Sequence, residues 1–268
     1  MVQKPRLVAC DVDGTLLGTG AKASHRTIDI VAGVVAAGVP FVLVTGRPPR
    51  WIPPVVEEIG HAGLAVCANG AVLYDAAEDR ILHAHTLDPM RLRDVADGLA
   101  TALPGAMLAV ERTGSTEHDF LAEIGYLHPW PSPTSVHAPR DEVLGHPATK
   151  LMVRHPDMAS EEMLVAAEAL LGDLVGITFS TGNGLIELSA PDVTKGTGLA
   201  GVARRFGVDA KDVIAFGDMP NDLPMLSWAG HGVAMANAHP SVFEVADEVT
   251  APHHEDGVAL VLERWFSA

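Results

Sequence analysis

Leu7-Val8-Ala9-Cys10-Asp11-Val12-Asp13-Gly14-Thr15 is an apolar run that ends abruptly in two carboxylates spaced i, i+2, then a glycine and a hydroxyl. A short apolar run closed by glycine reads as a strand buried on both faces, the habit of parallel strands. In open α/β sheets ligands gather beyond the carboxyl ends of such strands. Two neighbouring carboxylates left there alone would repel until one took up a proton, whereas a divalent cation keeps both ionised. The stretch therefore predicts a reactive strand end with a metal beside it.

Working outward, Ser24 can cap a helix whose apolar positions Ile28, Val31, Val34 and Val35 share a face and which ends near Gly38. Pro40 to Thr45 reads as a second strand, a helix follows Pro53-Pro54, and Leu64 to Cys67 reads as a third strand. Strand, helix, strand in this order predicts a parallel sheet with right-handed crossovers. From about residue 83 the alternation breaks. Helix is expected over Pro89 to Leu103, strand over Met107 to Glu111, and a proline-studded stretch at His128-Pro129-Trp130-Pro131-Ser132-Pro133. A βαββ pattern then covers Lys150 to Arg154, Ser160 to Leu171 with Ser160 as the cap, Leu174 to Ser180, and Gly184 to Leu188. Regular alternation resumes with helix over Lys195 to Phe206, strand over Val213 to Phe216, helix over Pro220 to Trp228, strand over Gly232 to Met235, and helix over Pro240 to Ala246. The expected fold is α/β: a Rossmann-like parallel-sheet core made of residues 1–82 and 190–268, interrupted by an α/β domain at 83–189.

The totals agree with a globular chain of about two domains. The chain has 268 residues, 48% of them hydrophobic, enough to build substantial cores. Eighteen Lys and Arg against 34 Asp and Glu leave a net charge of −16, which opposes nonspecific attraction to nucleic-acid phosphates. A small anionic substrate must then be met by local positive groups. The longest apolar run, Val31 to Val44, is 14 residues long and is interrupted by Gly33, Gly38 and Pro40, short of the roughly 20 residues a bilayer requires. Met1-Val2-Gln3-Lys4-Pro5-Arg6 leads directly into the first strand without a separate hydrophobic segment, so a cytoplasmic protein with no membrane partner is expected. Cys10 and Cys67 both sit in apolar strands, as inert core residues in a reducing compartment do, and neither has a partner at metal-ligand spacing.

Three further polar segments stand at strand or helix ends: Val44-Thr45-Gly46-Arg47, Thr194-Lys195-Gly196, and Phe216-Gly217-Asp218-Met219-Pro220-Asn221-Asp222. With Asp11-Val12-Asp13-Gly14-Thr15 they form, in order, a set that resembles the four motifs of the haloacid dehalogenase-like (HAD) phosphohydrolases. More than a hundred residues separate Thr45 from Lys195. That gap, and Ala68-Asn69-Gly70-Ala71 before it, resemble the type IIB, Cof-like branch, which carries a large α/β cap between its second and third motifs.

The resemblance implies a chemistry that suits these residue types. Phosphate monoesters resist attack because their oxygens are charged, so catalysis rests on neutralisation, in-line positioning and protonation of the leaving alkoxide. Asp11 is the implied nucleophile, forming an aspartyl-phosphate, and Asp13 the general acid and then base. Mg²⁺ is the implied cofactor, held by the Asp11 side chain, the Asp13 carbonyl and Asp218, with Asn221 and Asp222 orienting water or neighbouring ligands; oxygen donors suit it. Thr45 would bond the transferring phosphoryl group, Gly46 would let the backbone approach, and Lys195 would neutralise both phosphate and Asp11. Arg47 is a candidate phosphate or substrate clamp, because its planar fork matches phosphate oxygens. Asn69 is read as a turn former.

The remaining candidates have plainer readings. His83, His85, His118, His128, His137, His146 and His155 crowd the inserted region without matching a zinc template, and are expected to be scattered surface residues; His253-His254 is expected in an exposed loop. Trp130 is expected as a packing anchor more than as a specificity loop. The combined expectation is a Mg²⁺-dependent phosphatase of a small phosphorylated metabolite, a sugar phosphate first among them, whose cap closes over the substrate. A phosphomannomutase-like phosphotransferase and a noncatalytic phosphate or metal sensor remain open.

Overall fold

The computed structural model describes residues 3–18, 20–113, 119–128 and 136–267. Two compact units divide the chain, one of Met1–His83 with Thr194–Ala268 and the other of Ala84–Val193.

The first unit opens with β1 (Leu7–Cys10), α1 (His25–Ala36), β2 (Phe41–Val44), α2 (Pro53–Ile59), β3 (Leu64–Cys67), β4 (Val72–Asp75) and β5 (Arg80–Ala84). The second unit supplies α3 (Pro89–Ala102), β6 (Met107–Glu111), β7 (Phe120–Glu123), β8 (Val136–Ala138), α4 (Arg140–Val143), β9 (Lys150–Arg154), α5 (Ser160–Leu171), β10 (Gly176–Thr178) and β11 (Leu185–Ser189). The chain then returns with α6 (Lys195–Phe206), β12 (Val213–Gly217), α7 (Leu223–Trp228), β13 (His231–Met235), α8 (Pro240–Phe243), β14 (Glu248–Thr250) and α9 (Gly257–Leu262).

In the first unit the strands form one sheet in the order β14-β13-β12-β1-β2-β3-β4-β5. The six strands from β14 to β3 run parallel, and β4 turns back antiparallel to β3. Register brings the carboxyl ends level: Val233 pairs with Phe216, Phe216 with Cys10, Cys10 with Leu43, and Leu43 with Ala65. All four residues of β1 and all four of β2 are buried, as strands covered on both faces must be. Leu7, Ala9, Val42, Val44, Val213 and Ala215 pack with Leu199, Val202 and Ala203 of α6 and with Met225 and Leu226 of α7. This packing fixes the two helices whose starts carry polar residues to the edge where the strands end.

Several boundaries differ from the pattern expected of the sequence. The reversal at β4 follows Asn69, which adopts a left-handed backbone (φ 56°, ψ 30°) that turns the chain before a crossover can form. The expected helix from Pro220 to Trp228 is a 3₁₀ turn at Pro220–Asp222 followed by α7, because Asp222 folds back to accept from the Asp218 and Met219 amides, at 2.9 Å each. Short closing elements, β14 and α9, complete the far edge.

In the second unit the sheet order is β10-β11-β9-β6-β7-β8, antiparallel except for β7 and β8. Leu92, Val95 and Leu99 of α3 and Met163, Ala167 and Leu171 of α5 are buried. Ser160 is not the cap of α5. Ala159 holds that position, and the fully buried Ser160 hydroxyl accepts instead from the Leu185 amide at 3.0 Å, tying the helix to β11. The strand expected from Leu174 shortens to β10 because the Leu174 and Val175 amides turn back to the Leu171 carbonyl. Lys150 and Glu187 form a buried ion pair at 2.5 Å. His137 and His155 engage backbone carbonyls of Glu123 and Pro104, and His128 packs edge-on to Phe120. Trp130 and His118 lie outside the described residues. No helix among the described residues is long and apolar enough to cross a membrane.

Candidate active site

Five adjacent strands each end in a polar residue: Asn237 two positions past β13, Asp218 past β12, Asp11 past β1, Thr45 past β2 and Asn69 two past β3. The parallel ladder continues into this edge, with the Asp11 amide donating to the Phe216 carbonyl at 3.0 Å and the Thr45 amide to the Val66 carbonyl at 2.8 Å. The strand ends themselves thus aim these residues into one place.

At the centre is an ionic cluster. Lys195 Nζ donates to Asp11 Oδ1 at 2.5 Å and to Asp222 Oδ1 at 2.6 Å, and all three side chains are at least nine-tenths buried. Lys195 is the first residue of α6, which Thr194 caps by accepting from the Thr197 amide. Gly196 makes the approach possible, since a Cβ there would lie 2.4 Å from the Pro224 carbonyl. Asp218 joins from the other side: its Oδ1 accepts from the Thr15 hydroxyl at 3.0 Å. Side-chain oxygens of Asp11, Asp218 and Asp222 lie within 4.8 Å of one another. Gly14 is required between them, with φ at 81° and a would-be Cβ 2.4 Å from Asp218 Oδ2.

Three carboxylates against one ammonium leave negative charge in excess. Burial pushes the Asp11 carboxyl well above the usual range; Lys195 opposes the shift and the charges of Asp222 and Asp218 add to it. Asp218 is pushed up to about 7, by burial first and the Asp222 charge second, with the Thr15 hydrogen bond opposing. For Lys195, burial works against the ammonium, but Asp11 and Asp222 outweigh it and hold the group charged. Burial also raises the Cys10 thiol, leaving it an unreactive core group. A hard divalent cation is what such a donor set fits: oxygen ligands only, and carboxylates whose ionised forms lack sufficient positive charge. Lys195 and two amides hold the two oxygens of Asp222, and Thr15 and Asn237 approach those of Asp218, so the possible ligand oxygens of this group are oriented by donors within the protein.

Asp13 stands apart from that cluster. Its side chain is 62% exposed and is gripped by Arg47, Nε to Oδ2 at 2.8 Å and Nη2 to Oδ1 at 2.6 Å. Thr45 is wholly buried and its hydroxyl accepts from the Arg47 amide at 3.1 Å. The Asn69 amide donates to the Thr45 carbonyl at 3.0 Å, and Asn221 Nδ2 donates to Asn69 Oδ1 at 3.0 Å. Gly46 leaves space for that pair, because a Cβ there would stand 3.0 Å from Asn69 Oδ1. Asn221 Oδ1 is buried without a hydrogen-bond partner. Among the described residues the only grouping of three potential ligand side chains is Asp11, Asp218 and Asp222.

Asn237 carries no motif and escapes a reading of the sequence alone. It donates through Nδ2 to the Gly14 carbonyl at 2.9 Å and to Asp218 Oδ2 at 3.4 Å, while its Oδ1 accepts from the His253 amide at 3.0 Å. The one available signal was its place just after the apolar run of β13.

Residues 8–262 match the family model of haloacid dehalogenase-like hydrolases. A 5-amino-6-(5-phospho-D-ribitylamino)uracil phosphatase of Bacillus subtilis is 30% identical, with all of both chains aligned. A phosphoglycolate phosphatase of Methanothermobacter thermautotrophicus is 28% identical over 97% of this chain and 98% of its own. The solved HAD subclass IIB sugar phosphatase BT4131 shares the fold, with a TM-score of 0.79 at 21% identity over 97% of this chain and 98% of that one. The sheet order, the carboxylate cluster on its edge and a family match across almost the whole sequence lead to one conclusion: this chain belongs to the haloacid dehalogenase-like hydrolases and is an enzyme of their phosphatase type.

Proposed function

We propose that the enzyme is a Mg²⁺-dependent phosphatase of a small phosphorylated metabolite, of the sugar-phosphate class, working through an aspartyl-phosphate on Asp11. The observation that carries this reading is the Lys195 ammonium joined to Asp11 and Asp222, with Asp218 alongside, at the end of a parallel strand. Asp11 is the nucleophile: its carboxylate oxygen bonds to phosphorus as the ester P–O bond breaks. Asp13, on the more open side, gives its proton to the leaving alkoxide, then takes one from the water that cleaves the acyl phosphate and releases inorganic phosphate. Lys195 favours the ionised form of Asp11 and orients it, and Thr45, Gly46 and Asn221 line the side on which phosphoryl oxygens are received. Arg47 serves Asp13 and incoming phosphate from one position.

Asp11, Asp218 and the Asp13 carbonyl would hold Mg²⁺, with Asp222 lending charge and fixing the loop. Bound there, the ion supplies Lewis-acid polarisation and neutralisation of phosphoryl oxygens. The relatives named above act on a ribityl phosphate and on phosphoglycolate, and the fold is shared with a sugar phosphatase, which supports a small phosphorylated substrate. The unit Ala84–Val193 is assigned the choice of leaving group, and nucleic acid is not expected as a substrate for a chain of net charge −16.

The test is phosphate release from p-nitrophenyl phosphate and a panel of sugar phosphates. Turnover that requires Mg²⁺ and disappears with EDTA is expected. Transfer of phosphate between positions of a hexose phosphate without free phosphate would replace the reading with a mutase, and no turnover of any phosphate ester would refute it.

A further inference from the structure

The outermost polar strand end, Asn237, does more than close a loop. Its side chain joins three segments distant in sequence: the Asp13-Gly14 turn, the Asp218 carboxylate, and the stretch that follows β14. Which amide atom faces the site is set by its surroundings. The His253 backbone N–H can only donate, so it requires the oxygen of Asn237, and the nitrogen is thereby aimed at two acceptors, the Gly14 carbonyl and Asp218 Oδ2.

The consequences meet on Asp218. Thr15 donates to Oδ1 at 3.0 Å and Asn237 approaches Oδ2 at 3.4 Å, so the carboxylate is held from both sides by donors that carry no charge. The Asp218 backbone is fixed as well, its carbonyl accepting from the His239 amide at 2.8 Å, two residues beyond Asn237. The turn carrying Asp13 is pinned at both ends of Gly14: its amide donates to the Leu17 carbonyl at 3.0 Å, and its carbonyl takes the Asn237 amide. Asn237 therefore ties the turn of the acid/base residue to a carboxylate of the metal cluster from one side, as Thr15 does from the other.

We propose that Asn237 is a positioning residue of the reaction, a neutral clamp that holds the Asp13-Gly14 turn against Asp218 and so preorganises the Mg²⁺ site. This rests on the metal-dependent reading above. Partners that orient metal-binding carboxylates typically change affinity or activity about 10–100-fold when removed.

The experiment is calorimetric titration of Mg²⁺ into the wild type, Asn237→Ala and Asn237→Gln at neutral pH, with thermal melts of the metal-free proteins and p-nitrophenyl phosphate kinetics. Asn237→Ala is expected to bind Mg²⁺ about tenfold more weakly, to lose kcat at saturating Mg²⁺, and to keep its KM and metal-free melting temperature. Asn237→Gln, which retains an amide donor, is expected to recover part of the affinity. Wild-type Mg²⁺ affinity and kcat in Asn237→Ala would overturn the proposal, as would a loss of affinity matched by a fall in the metal-free melting temperature, which marks a purely structural role. A wild type that neither binds Mg²⁺ nor releases phosphate would instead overturn the metal-dependent reading itself.

Discussion

Arg47 grips both carboxylate oxygens of Asp13 across 34 positions of sequence, with a planar fork that matches a carboxylate edge to edge. The exposed acid is thereby held in one orientation by a largely buried base. Lysine cannot reproduce two parallel bonds. Arg47→Lys should therefore lower kcat on p-nitrophenyl phosphate about tenfold through misorientation of Asp13, with a smaller change in KM. Steady-state kinetics at saturating Mg²⁺ measure both.

Asp11→Asn removes the proposed nucleophile and one of the crowded charges together. Turnover should fall at least about a thousandfold, the scale on which loss of a nucleophile is felt. Because the buried ionised Asp11 is disfavoured, the metal-free variant should melt at or above the wild-type temperature. Phosphate-release assays and differential scanning calorimetry give the two readouts.

Lys195 is the cation shared by Asp11 and Asp222. Lys195→Ala strands two buried carboxylates, and breaking a buried pair from one side costs about 3–5 kcal/mol. Urea denaturation at neutral pH should show a loss of that order. The double variant Lys195→Met with Asp222→Asn should recover part of it while remaining inactive.

The metal-free protein should become less stable as pH rises. Asp218 is raised from 3.8 to about 7, and Asp11 moves in the same direction, so the folded state binds more protons than the unfolded chain between those values. A carboxyl with a raised folded pKa favours the fold below its unfolded value and loses that contribution as pH climbs through the folded one. Stability should therefore fall from about pH 4 to pH 7 without metal. Mg²⁺ should raise the melting temperature more at pH 8 than at pH 5, where protons compete for the same oxygens. Melting curves with and without EDTA across this range provide the check.

The parts of the centre that could be read from sequence are those where a buried strand stops and a charge begins. Asp11, Thr45 and Asp218 each follow an apolar run, and such interruptions are visible without coordinates. Lys195 was legible as a helix start, since Thr194 and the small residues after it advertise a cap. The grip of Arg47 on Asp13 was not, because it depends on β1 and β2 being neighbours in register, which no local pattern encodes. Asn237 was missed for the same reason: an asparagine after a strand is usually a turn, and only the placement of β13 beside β12 turns it toward Asp218. The short strands β4, β5, β8 and β14 escaped detection because three to five residues with mixed exposure carry too little periodicity, and β7, though wholly buried, is only four residues long. Ser160 shows the opposite failure, a good capping residue diverted to a neighbouring strand.

The burial of Lys195, and with it Lys150, divides the five lysines of the chain into two chemical populations. Lys4, Lys22 and Lys211 stand in solvent, open to acylating dyes or to an activated resin, while the other two are sealed behind their carboxylate partners. Labelling or immobilisation through side-chain amines would consequently decorate the exterior at three points and leave the ammonium that faces Asp11 untouched.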